Sequence, residues 1–139
     1  MSLFITFFTI FVLTAYAQAG TLTVKISGIN NPQGLISIGV YSNKEGFPDK
    51  GKEYKGAEVE ANGKTVNYTF KDIPSGTYAV AIIHDVNSNS KLDTNFLGIP
   101  TEGYAFSNNL FGAFGTPPAF KDASLQLGED KIIEIKIDY

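Results

Sequence analysis

Apolar and polar side chains alternate along much of the chain after residue 20, and this alternation predicts short β-strands. In the segment TLTVKIS, Leu22, Val24 and Ile26 share one face, while the residues between them are polar. A period of two is the pattern of a strand with one buried face. Five further segments repeat it, with apolar positions at Ile36, Ile38 and Val40; Ala57, Val59 and Ala61; Val66, Tyr68 and Phe70; Leu125 and Leu127; and Ile133, Ile135 and Ile137.

One segment, TYAVAIIH at residues 77–84, is apolar on both faces, which predicts a central strand covered on both sides. Turn residues separate the segments, and Asn62-Gly63 suits a tight hairpin turn. The chain after residue 20 shows no apolar stripe of helical period. About seven short strands without a long helix predict an all-β fold, an antiparallel Greek-key β-sandwich with one long ordered loop.

The stretch YTFKDIPSGTYAVAIIHD, residues 68–85, makes this prediction more specific. It resembles the F-x-D-[IL]-P-x-G-x-Y-x-V hairpin of transthyretin-like and carboxypeptidase-regulatory-like sandwiches. The resemblance implies a prealbumin-like sandwich in which the turn Pro74-Ser75-Gly76 feeds the central strand and Tyr78 packs in the core. It implies no particular activity, because such sandwiches carry many functions.

The first 19 residues have the layout of a secretory signal peptide. They contain no charged side chain, an apolar run from Leu3 to Leu13, and small residues in A-x-A spacing up to Ala19. The run is shorter than the roughly 20 residues that span a bilayer, which favours a cleaved signal over a membrane anchor. We therefore expect cleavage after Ala17 or Ala19, one domain over residues 20–139, and export to the periplasm or the medium.

The composition narrows the range of partners. The chain has 11 Lys, no Arg, 14 acidic residues and a net charge of −3, which argues against nucleic acid. Without Arg, bidentate recognition of phosphate is also absent. There is no Cys, so no disulfide holds the fold. We expect no transmembrane segment after signal cleavage, and a small molecule, a glycan or a protein as the partner.

A connection of about 36 residues, from His84 to Phe120, separates the central strand from the next alternating segment. Loops of this length in a compact domain are functional or disordered. Large apolar side chains favour an ordered loop that covers one end or edge of the sandwich. These side chains are Leu92, Phe96, Leu97, Ile99, Tyr104, Phe106, Leu110, Phe111, Phe114 and Phe120.

This loop opens with oxygen-bearing side chains on alternate positions. With Asp85 counted as offset 1, offsets 3, 5 and 9 are Asn87, Asn89 and Asp93, and offset 7 is Lys91. In calcium loops of the D-x-[DN]-x-[DN] type, side-chain oxygens and the carbonyl of offset 7 bind the ion. Calcium takes six to eight oxygens, so Glu102 or a bidentate Asp93 is needed to complete the shell. The pattern predicts a calcium site.

Three departures from an EF-hand leave an alternative open. Offset 6 is Ser90 where calcium loops prefer Gly, and a left-handed backbone there costs a non-Gly residue roughly 1 kcal/mol. Offset 12 is Phe96, so the bidentate Glu is missing, and a strand rather than a helix leads into the loop. The alternative is a turn without metal, in which Asp and Asn side chains bond to nearby backbone N–H groups.

His84, the only histidine, suggests a different chemistry. With Asp85 or Glu102 it can form the acid–base pair of a small hydrolase-like or isomerase-like enzyme. The chain has no Cys and no G-x-S-x-G segment for a nucleophilic triad, and no second His for a zinc site. We therefore assign no catalytic residue, and we expect His84 to anchor the loop through a ring hydrogen bond.

A third hypothesis is a carbohydrate or peptide binder. It requires several aromatic rings of the long loop to be exposed in one patch. The rings concerned are those of Tyr104, Phe106, Phe111 and Phe114.

Most of the chain resembles one bacterial family. The segment AIIHDVNSNSKLDTNFLGIPTEGYAFSNN, followed by FGAFGTPPAFKDASLQL, is similar to the family called domain of unknown function 2141, over roughly Thr21–Tyr139. The resemblance implies an exported protein of about this size and no assigned activity. The family often has Gly where this chain has Ser90 and Ala105. Its motif falls on His84, Asp85, Asn87, Asn89, Lys91, Asp93, Asn95, Gly98, Pro100, Glu102, Gly103, Ser107 and Asn108.

Overall fold

Eight β-strands form the framework of the computed structural model, which describes residues 18–112 and 115–139. A one-turn 3₁₀ helix, Ser107–Asn109, and a short α-helix, α1 at Phe120–Ala123, are the helical elements within those ranges. The strands are β1 Ala19–Ser27, β2 Leu35–Tyr41, β3 Lys55–Glu60, β4 Val66–Pro74, β5 Gly76–Asp85, β6 Tyr104–Phe106, β7 Leu125–Leu127 and β8 Lys131–Lys136. The predicted all-β fold is confirmed.

The strands form two sheets that pack face to face. One has the order β4-β1-β8, and the other has the order β3-β2-β5-β6, with β7 paired to the first residues of β5. All pairings between these strands are antiparallel except that of β1 with β8, which run parallel with Leu22 opposite Lys131. The β-sandwich predicted from the alternation is therefore present, with one parallel pair in the smaller sheet.

The inward faces of both sheets build the main core. The predicted apolar positions of β1, β2 and β7 are buried, as are Ile135 and Ile137 near the C-terminus. Strand β4 departs from the prediction at Tyr68, which is 36% exposed although Val66 and Phe70 are buried. Because β4 is the edge strand of the smaller sheet, Tyr68 lies at the margin, against the ring of Phe70 at 4.7 Å between centroids.

Strand β5 is the central strand that its sequence predicts, with both faces covered. Val80 and Ile82 point into the main core, while Ala79 and Ala81 face the opposite side of the sheet. There they are covered by a second, smaller apolar cluster of Tyr41, Phe47, Phe106, Ala123 and the partly buried Tyr104, Leu110 and Phe120. Part of the long loop thus covers the outer face of the larger sheet, whereas the sequence predicted that it covers one end or edge of the sandwich.

The connection between β3 and β4 differs from the prediction. Asn62-Gly63 does not close a hairpin, because β3 belongs to the larger sheet and β4 to the smaller one. The turn instead carries the chain from one sheet to the other. The link from β4 to β5 through Ser75 crosses back in the same way. Strand β5 then pairs with β2.

The segment Ser107-Asn108-Asn109 ties separate parts of the sandwich together. The Ser107 hydroxyl accepts a hydrogen bond from the Val80 backbone N–H at 2.9 Å and donates to the Ala123 carbonyl. Asn108 donates to two backbone carbonyls around α1, and Asn109 exchanges hydrogen bonds with the backbone of β8. Both asparagines have positive φ, at 63° and 51°, which their residue type tolerates better than most. The last two residues of the sequence motif, Ser107 and Asn108, therefore have a structural role.

The N-terminal prediction falls mostly on residues 1–17, which lie outside the described residues. The described chain begins at Gln18, and its carbonyl accepts hydrogen bonds from the backbone and the hydroxyl of Ser75 at 3.1 and 2.9 Å. Within the described ranges, no helix has the length and apolar character needed to cross a membrane.

Replacing Ser107 by Ala tests the role of this hydroxyl. The buried N–H of Val80 then loses its acceptor, so we expect the free energy of unfolding to fall by about 1–3 kcal/mol. Urea denaturation measures the change. Ser42→Ala, at an exposed turn position, is the matched control and should stay within about 0.5 kcal/mol of wild type. Equal stability of Ser107→Ala and wild type would contradict the assignment.

Candidate functional site

The long loop leaves the sandwich at the last two residues of β5, which are polar and buried. His84 is 0% exposed and Asp85 is 1% exposed. The chain returns beside the point where it left, because the His84 backbone N–H donates to the Gly103 carbonyl at 2.8 Å. Residues 85–102 therefore form a closed loop on one end of the larger sheet.

Glu102 closes the first half of this loop. One carboxylate oxygen accepts a hydrogen bond from the Val86 N–H and the other from the Asp93 N–H, each at 3.0 Å. The side chain is 8% exposed. A single buried carboxylate thus holds both ends of the segment 86–93.

Asp85 holds the middle of the same segment. Its Oδ1 accepts from the Asn89 N–H at 3.0 Å and its Oδ2 from the Ser90 N–H at 2.8 Å. To bring both N–H groups to one carboxylate, the chain turns with positive φ at Ser88 and Ser90, 55° and 66°. The left-handed backbone anticipated at Ser90 is present.

Asp93 faces Asn87 and Asn89, the two asparagines of the predicted calcium site. Its Oδ2 accepts from the amide NH₂ of Asn87 at 2.7 Å, and the amide NH₂ of Asn89 contacts both of its oxygens at 2.9 and 3.0 Å. The amide oxygens of Asn87 and Asn89 accept backbone N–H groups two residues further on. Lys91 is exposed, and its backbone N–H is one of these donors.

The predicted donor residues therefore lie together in one loop, connected by direct hydrogen bonds. Within residues 18–112 and 115–139, no group of three or more His, Cys, Asp or Glu side chains is placed to hold a metal ion. The geometry contains the bonds from backbone N–H groups to Asp and Asn side chains that the alternative of a turn without metal predicts. Each carboxylate oxygen has two lone pairs, so every oxygen that accepts a single N–H keeps capacity for another partner.

Negative charge accumulates in this loop. Asp85, Asp93 and Glu102 carry three carboxylates, and in the described part of the chain every ion pair involves other residues. The two buried carboxylates, Asp85 and Glu102, are compensated by backbone N–H dipoles alone. Buried charges in proteins are generally paired or coordinate metals. This loop is therefore suited electrostatically to a cation.

His84 has two partners, neither of which is an acid. Its Nε2 lies 2.8 Å from the Gln33 carbonyl and its Nδ1 lies 2.6 Å from the Tyr139 hydroxyl. A carbonyl only accepts, so Nε2 carries the proton and the Tyr139 hydroxyl donates to Nδ1 in the neutral imidazole. The ring joins the β1–β2 connection to the C-terminus. The acid–base pair of His84 with Asp85 or Glu102 is not formed in this geometry.

Tyr139 was missed by sequence reasoning, because it lies 55 positions from His84. One signal was available in Gly103, next to the buried Glu102. A Cβ at this position would lie 2.5 Å from the Tyr139 ring and 2.6 Å from Ile137. Gly103 is thus a site of close approach, where the absent side chain admits the Tyr139 ring.

The second half of the loop was predicted to cover the sandwich, and this was wrong for its tip. Thr94 and Pro100 pair across a narrow turn in which the Asn95 side chain accepts the N–H groups of Leu97 and Ile99. The three apolar side chains there point to solvent, with Phe96 95%, Leu97 67% and Ile99 41% exposed. The polar bonds of Asn95 hold the turn without apolar burial.

The aromatic patch of the third hypothesis is not assembled as predicted. Phe106 is buried, Tyr104 is partly buried and Phe111 is 44% exposed, while Phe114 lies outside the described residues. Tyr104 and Phe106 pack edge to face at 5.9 Å between ring centroids, as part of the outer apolar cluster. Their role is packing.

Comparison with known proteins identifies one family. A model described as "Uncharacterized protein conserved in bacteria (DUF2141)" matches residues 24–135, which include the loop and its base. No curated protein and no solved structure matches the chain.

Replacing Ser90 by Gly tests the conformation of the loop. Glycine adopts the positive φ of Ser90 without a Cβ clash, so we expect the folded state to gain up to about 1 kcal/mol of stability. Ser42→Gly, where φ is not positive, is the control and should be neutral or destabilising. Chemical denaturation compares the two. Destabilisation by Ser90→Gly equal to that of the control would contradict the described turn.

Removing the Tyr139 hydroxyl tests the anchor at His84. We expect Tyr139→Phe to lose about 1 kcal/mol, because His84 Nδ1 and the Asn30 N–H each lose a partner. Tyr68→Phe, at the margin of the smaller sheet, is the control. Unfolding by urea at pH 7 measures both, and equal stabilities would contradict the anchor.

The same variant has a signature at alkaline pH. Burial raises the pKa of the Tyr139 hydroxyl above 10.0, and the hydrogen bond from the Asn30 backbone lowers it in part. Because the folded-state pKa exceeds the unfolded value, this contribution to stability is complete below pH 10 and is lost as pH rises through the folded pKa. The alkaline loss of stability should therefore be shallower in Tyr139→Phe than in wild type.

Proposed function

The chain belongs to the bacterial family of uncharacterized proteins DUF2141, and from the geometry of its polar loop we propose a function for it. It is an exported β-sandwich binding module whose loop from Asp85 to Glu102 is organised by a divalent cation, calcium. The observation that carries this proposal is that Asp85, Asp93 and Glu102 are gathered into one loop, where hydrogen bonds hold them and none of the ion pairs in the described residues includes them.

The donor set suits a hard cation that prefers oxygen. Asp85 and Asp93 supply carboxylates, Asn87 and Asn89 supply amide oxygens, and Lys91 supplies its backbone carbonyl. Glu102 adds a third negative charge, and each of its oxygens keeps a lone pair beside the accepted N–H. These residues together provide the six or more oxygens that calcium takes.

Two amide groups would rotate when the ion binds. Asn87 and Asn89 now direct their NH₂ groups at the Asp93 carboxylate, where they neutralise part of its charge. A cation at that carboxylate repels NH₂ groups and attracts amide oxygens. Rotation would turn both amide oxygens toward the Asp93 carboxylate, in exchange for the bonds that they now accept from the Asn89 and Lys91 N–H groups.

Weak binding is expected, in the range of about 10⁻⁴–10⁻³ M typical of extracellular calcium modules. The backbone at Ser88 and Ser90 is strained, and no EF-hand glutamate follows at offset 12. Calcium at such concentrations is found outside cells, which agrees with an exported protein. The ion would then stabilise the loop that presents the exposed tip of Phe96, Leu97 and Ile99 for contact with another molecule.

The proposal of export rests on the predicted signal peptide, and contacts of Gln18 and Ala19 support one of its two predicted cleavage positions. Cleavage after Ala17 keeps Gln18, whose carbonyl binds Ser75, and keeps Ala19 in β1 opposite Pro74. Cleavage after Ala19 would remove both. The proposal is therefore that the mature chain starts at Gln18.

Mass spectrometry of the protein exported from a bacterial host tests this start. We expect an N-terminus at Gln18, partly cyclised to pyroglutamate. A chain that begins at Gly20 would contradict the choice of position, and an unprocessed chain that stays with the membrane would contradict export.

Thermal unfolding in EDTA and in millimolar calcium tests the cation. We expect calcium to raise the melting temperature of wild type by several degrees, because a ligand that binds the folded state alone stabilises it. Asp93→Asn should lose this shift while remaining folded, since Asp93 is only partly buried. Asp85→Asn should lose the shift and also part of the basal stability.

Asp122→Asn is the matched control, because Asp122 is an exposed acid outside the loop. It should keep the full calcium shift. No shift in wild type, or an equal shift in Asp93→Asn and wild type, would contradict the proposed site. A shift produced by magnesium and calcium alike would contradict the choice of calcium.

A further inference from the structure

A groove of about 480 Å³ lies on the outer face of the larger sheet, away from the polar loop. The connection between β2 and β3 forms one wall, and β3 forms the other. Small-molecule sites in proteins occupy about 300–1,000 Å³. The groove therefore has the size of a binding site, and the residues of its floor and walls determine which class of ligand fits it.

Residues of two interior strands form the floor of the groove. Ser37 and Gly39 of β2 lie opposite Ile83 and Ala81 of β5, and all four line the groove. They point outward because their neighbours in β2, such as Ile38, point into the core. Both strands are paired on both edges, so the floor offers side-chain surface and no free backbone for an added strand.

The walls carry two positive and two negative side chains, each with a partner. Lys50 binds Glu58 at 2.7 Å, and Lys55 donates to backbone carbonyls of the β4 segment. Glu53 accepts the Gly51 N–H at 2.5 Å. The lining is thus polar without net charge, and it holds its shape through its own bonds. Ammonium groups and carboxylates in such pairs still have donors and lone pairs to spare.

Two tyrosines line this groove, and one of them, Tyr41, is buried with its ring over Gly39. Tyr54 is 46% exposed and lines the wall. Its ring is supported by Tyr78, with centroids 5.9 Å apart and planes tilted by 44°. A supported and exposed ring gives a flat apolar face beside polar groups.

From these features we propose that the groove binds a neutral saccharide. A sugar ring has hydroxyl groups that donate and accept, which match the Lys50–Glu58 pair and Glu53, and an apolar C–H face, which matches the Tyr54 ring. A phosphorylated or strongly acidic ligand would meet a wall with no net charge and a chain with no Arg. A peptide in strand form would find no free edge on the floor. The site is separate from the calcium loop and does not depend on it.

Glycan-array screening of residues 18–139, with neutral and acidic oligosaccharides, followed by calorimetry on the best neutral ligand, tests the proposal. We expect binding to at least one neutral glycan, in EDTA as well as in calcium. Ser37→Phe fills the floor and should abolish binding. Tyr54→Ala removes the stacking face and should weaken binding about tenfold, a change that corresponds to about 1.4 kcal/mol.

Tyr68→Ala is the matched control, because Tyr68 is a partly exposed tyrosine on the other sheet, and it should bind as wild type does. Melting temperatures establish that each variant is folded. If Ser37→Phe fails to fold, Tyr54→Ala and Glu58→Gln decide the question. Binding to no neutral glycan, binding only to acidic glycans, or unchanged binding by the folded groove variants would each overturn the proposal.

Discussion

The burial of two polar side chains at the end of the central strand is the constraint on which the rest of the loop depends. His84 and Asp85 follow a strand that is apolar on both faces, and they are as deeply buried as that strand. Buried polar groups need hydrogen-bond partners, so other segments must come to them. Gln33 and Tyr139 come to His84, and the backbone of residues 89 and 90 folds back onto Asp85. The sandwich thereby fixes the base of the polar loop that follows Asp85.

The loop itself is held by polar bonds rather than by a core, which explains why it carries both strain and charge. Ser88 and Ser90 adopt positive φ, and such outliers persist only where the surroundings determine them. Here the Asp85 and Glu102 carboxylates do so, at the expense of concentrating negative charge. An apolar tip follows, held by the Asn95 side chain and left in solvent. A cation in the first half would remove the repulsion and stiffen the support of the tip.

Sequence reasoning found the parts of the fold that depend on local pattern. Alternation located β1, β2, β3, β4, β7 and β8, because one residue in two must face the core, and a run that is apolar on both faces located β5. The spacing of acids and amides after His84 located the residues that meet in the loop. Strand β6 was not found, since three residues within an aromatic stretch have no detectable period. The Tyr139 partner of His84 depends on a parallel strand pair that joins the two ends of the chain. The exposure of Phe96 could not be inferred either, because the hydrophobicity of a side chain does not show whether a turn held by polar bonds leaves it in solvent.

The transthyretin-like relationship stays a prediction from the motif at residues 68–85.

In the proposed site, Asp85, Asp93 and their amide neighbours bind one calcium ion per chain. Nuclear magnetic resonance tests it most directly, through the backbone N–H signals of Val86, Asn89, Ser90 and Asp93, which donate to the carboxylates concerned. Titration with calcium to about millimolar concentration should move these four signals along one saturable curve, with the amide NH₂ signals of Asn87 and Asn89, while signals of the smaller sheet stay in place. Spectra that do not change over that range would contradict the account.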